Sequence, residues 1–327
     1  MSDNVCAIID ADFIKYSVAA VGEKRSIVVT HLASGREMEF SNRTAFYGSN
    51  REGGWLAERN AGRTSPFTID EFRIEDVQTP EPIENALHIV KLTFNKILKA
   101  LGTDQYKAFV GQGDPFRVER STIIKYKGNR VDRANPVHLD AITNYLVNKY
   151  KAEIVTGIES DDRCVMECYG NNNNILVAID KDAYGTPAKV YNPNKPDDGI
   201  IDCDVFGELR RDSKGKVRGH GRLFFYFQVA SGDAIDNYKA NSASDKKWGD
   251  VSAYNRLVGC KTDAEALEAL YNIYDQLYPE AKVVTGWRGD EIEIDGSYML
   301  DENWDLARML RWGGDVFSFD DAVRFYL

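Results

Sequence analysis

The sequence predicts an α/β protein, with a mostly parallel central sheet flanked by helices and a helical C-terminal subdomain. Three observations carry that expectation. Short apolar runs end in acidic motifs at Asp10, Glu159 and Asp180, helix-spaced stretches lie between those runs, and the chain beyond Asp236 reads as mainly helical. Buried parallel strands appear as short apolar runs, and alternation with helices is the signature of βαβ units.

Residues 5–9 form the first such run and deliver Asp10 at its carboxyl end, followed by an apolar helix over 13–21. Residues 26–30 and 36–40 flank Ala33-Ser34-Gly35, a hairpin signal, and 50–68 is rich in Gly and Arg without clear periodicity. The stretch from about 23 to 82 therefore reads as an insertion. Ile83, Leu87, Val90, Phe94, Ile97, Leu98 and Leu101 have helical spacing, and 106–110 is the next strand. A basic segment follows, then a helix over 135–150 and a short strand around Ile154-Val155. The motif Glu159-Ser160-Asp161-Asp162 opens another helix, and 175–179 is a strand ending in Asp180-Lys181-Asp182. Residues 192–199 and 213–221 are turn-rich, and a helical aromatic stretch at 223–229 leads into Ser231-Gly232-Asp233-Ala234-Ile235-Asp236. In a parallel sheet the active site lies outside the carboxyl ends of the strands, where these acidic motifs fall.

The chain has 327 residues, enough to bury a large core without disulfides or structural metals. Its five cysteines are odd in number and form no C-x-x-C pair, and no N-terminal apolar run resembles a signal peptide, so a reducing cytoplasm is expected. No stretch approaches the roughly 20 apolar residues of a membrane span. A net charge of −10 argues against a polyanionic partner only if charge is evenly spread. It is not: residues 117–133 hold six basic residues (Arg117, Arg120, Lys125, Lys127, Arg130, Arg133) against Glu119 and Asp132.

Asp10, Glu159, Asp161, Asp162, Asp180, Asp182, Asp233 and Asp236 all fall at predicted strand ends or helix starts. Gathered in one cleft they would repel strongly, and cations would have to neutralise them. Hard oxygen ligands suit Mg²⁺ or Mn²⁺ rather than zinc. Two ions about 4 Å apart activate a water and stabilise the leaving oxygen of an in-line phosphoryl displacement. Asp12 reads instead as the N-cap of the following helix and is left out of the site. The histidines at 31, 88, 138 and 220 share no metal-ligand spacing, Cys164 and Cys168 read as core, and no motif supports Ser-His-Asp catalysis. In the basic segment, Lys and Arg can hold phosphates while Tyr126 could stack on an unpaired base, a contact worth roughly 1–3 kcal/mol.

The blocks Ile8-Ile9-Asp10-Ala11-Asp12, Phe116-Arg117 with Tyr126-Lys127-Gly128-Asn129-Arg130, Glu159-Ser160-Asp161-Asp162, Ile179-Asp180-Lys181-Asp182 and Gly232-Asp233-Ala234-Ile235-Asp236-Asn237 resemble, in order and spacing, the flap endonuclease and 5′→3′ exonuclease superfamily. Within it they resemble the short bacteriophage exonucleases of podovirus type, and Leu306-Ala307-Arg308-Met309-Leu310-Arg311-Trp312 is similar to their last helix.

The resemblance implies a PIN-like fold, with a catalytic domain over 1–230 carrying a basic arch at about 115–135, and a helical DNA-binding subdomain over 231–327. It implies that Asp10, Glu159, Asp161 and Asp162 surround one Mg²⁺ or Mn²⁺ and that Asp180, Asp182, Asp233 and Asp236 surround a second. Arg117, Lys125, Tyr126, Lys127 and Arg130 would contact DNA, with Lys125, Lys127 and Arg130 acting on the scissile phosphate. The implied substrates are DNA 5′ ends, flaps or RNA–DNA primers, cut by a monomer to 5′-phosphate products, in a host cytoplasm if the chain is phage-encoded.

The sequence departs from the pattern at Gln112, where the family has an Asp, with Asp114 two positions later as a weaker candidate. Residues 241–250 lack the Gly-x-Gly turn of the family's duplex-gripping, K⁺-binding hairpin. Two alternatives compete: a haloacid-dehalogenase-like phosphatase with Asp10 as nucleophile, and a DNA-structure-binding protein without catalysis.

Overall fold

A computed structural model describes residues 5–130 and 134–326. Arg133 and Asp132 of the basic segment lie outside the described residues. The chain forms two compact units, one of residues 1–14, 92–134 and 145–327, the other of 15–91 and 135–144.

The larger unit is α/β, built on a six-stranded sheet with Cys6–Asp10 near its middle. On one side lie Tyr106–Gln112 and then Glu153–Thr156, and on the other Asn174–Val177, Lys189–Tyr191 and Ile200–Asp202. The neighbouring strands pair in parallel, except Ile200–Asp202, which runs antiparallel to Lys189–Tyr191. Ala7, Ile8 and Ile9 are fully buried, as an apolar strand with neighbours on both edges requires. The chain adds strands to one side of Cys6–Asp10 and then crosses to the other with Asn174–Val177. That reversal opens the crevice in which open α/β sheets place their ligands.

Helices flank the sheet. Ser160–Cys168 packs on the three middle strands, with Cys164 and Val165 fully buried. Both Cys164 and Cys168 therefore belong to the core. Arg222–Ser231 is wrapped by Asp250–Leu257, Asp263–Leu277 and Gly296–Ala307, which explains its aromatic composition. One continuous apolar core runs from Ile8 and Phe109 through Tyr226 and Tyr274 to Trp304. The C-terminal helices thus share the core of the sheet and fall in the same compact unit. The stretch 306–312 differs from expectation: the helix ends at Ala307, and the last helix is Phe319–Tyr326.

The smaller unit contains most of the predicted insertion. Its antiparallel sheet has Glu23–His31 between Glu37–Phe40 and Phe72–Pro80. The expected hairpin is there, and the third strand was hidden because its alternation is interrupted by charges on its exposed face. Ile27, Val29, Phe46, Leu56 and Phe72 give this sheet a core of its own.

Candidate metal centre

Parallel strands end at the same edge, so Asp10 at the tip of Cys6–Asp10, Asp180 after Asn174–Val177 and Glu159 after Glu153–Thr156 arrive together. Asp10 is buried. Its Oδ1 accepts the Asp12 N–H at 3.1 Å and the Ser160 hydroxyl at 2.7 Å. Asp12, which sequence reasoning set aside, turns its carboxylate to the same place: Oδ1 accepts the Gly111 N–H at 3.1 Å and Oδ2 lies 3.0 Å from the Ser160 hydroxyl. The sequence did hold a signal for this. Gly111 sits in the neighbouring strand, and a Cβ there would come within 2.8 Å of Asp12 Oδ2.

Burial, then the Asp12 charge, push the Asp10 carboxyl up to about 7. Burial and the Glu159, Asp162 and Asp10 charges hold Asp161 well above the carboxylate range. Burial and Asp180 raise Asp182 to about 7. Among the described residues, Asp10, Asp161 and Asp180 have no ion-pair partner. Carboxylates crowd together here with cations on only some of them, and oxygen donors in that state suit a hard divalent cation.

Oxygens of Glu159, Asp161 and Asp162 lie within 4.8 Å of one another. Asp162 nevertheless differs in kind from the other two. It is fully buried, and its oxygens accept Arg117 Nη1 at 2.6 Å, Arg117 Nη2 at 2.8 Å, the Leu310 N–H at 2.9 Å and the Glu159 N–H at 3.1 Å. Its acceptor sites are engaged by Arg117 and by backbone N–H groups, so within this acidic group Asp162 is also the anchor of the helix start. Arg117 requires correction. It is buried against Asp162 and donates to the Leu306 carbonyl at 3.2 Å and to Glu159 at 3.1 Å, so it offers no surface to a phosphate.

The basic segment is described as far as Arg130. It comprises a short helix at Phe116–Arg120, a loop, and a 3₁₀ turn at Gly128–Arg130, laid against the loop 233–238. Lys127 N–H donates to the Asp236 carbonyl at 2.9 Å, Asn129 Nδ2 to the Ala234 carbonyl at 3.0 Å, and Asn237 Nδ2 to the Lys125 carbonyl at 3.0 Å. Tyr126, expected to stack on a base, is buried, and its hydroxyl donates towards Glu159 (2.9 Å) and Asp236 (2.8 Å). Lys127 pairs with Glu159 and lies 3.6 Å from Asp236, which Arg130 contacts at 2.9 Å. Burial opposes the Lys127 charge, but Glu159 and Asp236 outweigh it and raise the ammonium. Burial likewise works against Glu159, whose carboxyl is nonetheless lowered by Arg117 and Lys127.

On the other side, Lys181 bridges Asp233 at 2.8 Å and Asp182 at 3.5 Å, and Gln228 donates to Asp182. Asp233 also accepts the Ile235 N–H at 2.6 Å, and despite burial Lys181 keeps its carboxyl low. Asp114 is exposed in the turn beyond Tyr106–Gln112, and Gln112 is exposed at the strand's end. The stretch 241–250 consists of turns ahead of the helix Asp250–Leu257.

No family model and no curated protein matches this chain. Among solved structures it is similar to the T5 D15 protein co-crystallized with metal ions, at 15% identity over 56% of this chain and 70% of that one, with a TM-score of 0.36. A superposition that loose carries no inference about mechanism. Among the described residues no helix is long and apolar enough to cross a membrane.

Proposed function

We propose that the chain is a divalent-metal-dependent nuclease acting on DNA at or near 5′ ends, flaps or primer junctions, and leaving 5′-phosphates. The observation that supports it most is the meeting of Asp10 and Asp12 at the Ser160 hydroxyl, with Asp161 next in sequence and raised by burial and by neighbouring charges that include Asp10, and with Asp10 and Asp161 lacking an ion-pair partner among the described residues. Asp10, Asp12, Glu159 and Asp161 would hold one Mg²⁺ or Mn²⁺, and Asp180, Asp182, Asp233 and Asp236 another. Such ions, when bound, supply an activated water and charge neutralisation at the phosphoryl group.

The chain's own residues do the rest. The buried Arg117–Asp162 pair fixes the first turn of Ser160–Cys168, and with it Glu159 and Asp161. Tyr126 ties Glu159 to Asp236, holding the acidic motifs in register. Lys127 and Arg130 rest on Glu159 and Asp236 and stand ready to exchange those carboxylates for substrate phosphates. The 5′ preference draws on the resemblance of the motifs, because carboxylates alone have no polarity along a strand.

The direct experiment incubates 5′-labelled duplex, flap and single-stranded DNA with the protein in Mg²⁺, Mn²⁺ or EDTA. Metal-dependent cleavage, absent in Asp10→Asn, is expected, and product length separates exonuclease from flap cutting. No cleavage of any substrate in either metal would leave only a DNA-binding role. The adjacency of Asp10 and Asp12 keeps a phosphatase in view. Release of phosphate from a small phosphomonoester, with phosphate trapped on Asp10 and all DNA intact, would favour it instead.

A further inference from the structure

Tyr126 is buried, and an exposed aromatic ring beside the basic segment comes instead from the hairpin Lys282–Thr285 with Glu291–Ile294. Its tip carries Trp287, which is 36% exposed. The tip is fastened to the start of the basic segment: the Trp287 N–H donates to the Thr122 carbonyl at 3.1 Å and its indole N–H to the Ser121 carbonyl at 2.8 Å. Arg288 reinforces this by donating to the Ser121 and Val118 carbonyls at 2.8 and 2.7 Å. Gly286 permits the approach, since a Cβ there would meet the Thr122 carbonyl at 2.5 Å. The indole is therefore rigidly held, although much of it faces solvent.

Two cations lie over the ring, the Arg288 guanidinium 4.1 Å and the Lys125 Nζ 5.4 Å from the indole centroid, so an incoming base would take the place of one of them. Lys127, Arg130 and Lys181 are each engaged by carboxylates, whereas Lys125 has no carboxylate partner among the described residues. Its neighbour Tyr126 bonds directly to Glu159 and Asp236, so Lys125 stands one residue from a side chain of the acidic cluster, and Trp287 is tied to the same segment through Ser121 and Thr122. A flexible ammonium beside a fixed, exposed indole has the chemistry of a single-nucleotide subsite, in which a base stacks on the ring and the ammonium moves onto the adjoining phosphate.

We propose that Trp287 and Lys125 form a subsite for one unpaired nucleotide of a single strand entering the centre. This deepens the nuclease reading and rests on it. The test measures binding in EDTA, so that it does not depend on cleavage, using a labelled oligo(dT) and an abasic oligonucleotide of the same length. Trp287→Ala is expected to weaken oligo(dT) roughly tenfold, the scale of one lost stack, and to leave the abasic affinity unchanged. Lys125→Ala is expected to weaken both. Trp287→Phe keeps a ring but loses the bond to Ser121, and is expected to retain most of the oligo(dT) affinity. Wild-type affinity in Trp287→Ala would overturn the proposal. So would equal losses in the Phe and Ala variants at native melting temperature, which would mean that the indole only pins the hairpin. If oligo(dT) binding responds as expected but no metal supports cleavage, the subsite stands and the nuclease reading falls.

Discussion

Replacing Arg117 by methionine removes a guanidinium that is 2% exposed and leaves the fully buried Asp162 carboxylate facing only the Leu310 and Glu159 N–H groups. Breaking a buried pair by deleting one partner typically costs about 3–5 kcal/mol, because the remaining charge stays desolvated. The Leu306 carbonyl also loses its Arg117 donor, and an orphaned buried acceptor costs a further ~1 kcal/mol or more. Against a total stability of roughly 5–15 kcal/mol this is a large fraction, and at about 2–4 °C per kcal/mol the melting temperature should fall by on the order of 10 °C. Chemical and thermal denaturation of Arg117→Met measures it directly. The double variant Arg117→Met/Asp162→Leu should recover much of the loss, since apolar groups of similar volume often replace a buried pair without penalty. A variant with wild-type melting temperature but a uniform loss of DNA affinity would refute this reasoning and restore Arg117 as a phosphate contact.

The pH dependence of stability follows from Asp10 and Asp182, which hold their protons to about pH 7 in the folded chain and lose them near pH 4 when unfolded. Between those values the folded form binds more protons, so their contribution to stability is fully present below pH 4 and is lost as pH rises to about 7. The melting-temperature advantage of Asp10→Asn or Asp182→Asn over wild type in EDTA should therefore grow across that window and shrink when Mn²⁺ is added; a flat difference would contradict it. Gly111→Ala places a methyl group against Asp12, and it should lower Mn²⁺ affinity and cleavage by about tenfold or more while costing only ~1 kcal/mol in stability. Isothermal titration and denaturation would separate the two effects. Tyr126→Phe should cost about 1–3 kcal/mol by removing the buried hydroxyl between Glu159 and Asp236, and should not weaken single-strand binding in EDTA, in contrast to Trp287→Ala.

Much of the architecture was legible because it is written locally. Apolar runs at 5–9 and 175–179 are strands since both faces are covered, and the acidic residues that follow them mark the edge where parallel strands end. Helix Ile83–Leu101 matches its 3.6-residue spacing. The three-residue strands Lys189–Tyr191 and Ile200–Asp202 and the long but polar strand Phe72–Pro80 were not visible, because strands so short or so polar take their order from partners distant in the chain.

The candidate site divides along the same line. Residue type and position alone determined that carboxylates from separated motifs would collect at one sheet edge and that a cationic segment would lie among those motifs. Only the tertiary structure decided which of these side chains remain available. Arg117, fit by type to bind a phosphate, is buried against Asp162, Glu159 and backbone carbonyls, and Tyr126 spends its hydroxyl on two carboxylates. Asp12, locally indistinguishable from a helix cap, is drawn to Asp10 by a serine about 150 residues away in sequence and accommodated by the bare backbone of Gly111. Burial and pairing are properties of what surrounds a side chain, and that environment is assembled from segments no local pattern connects.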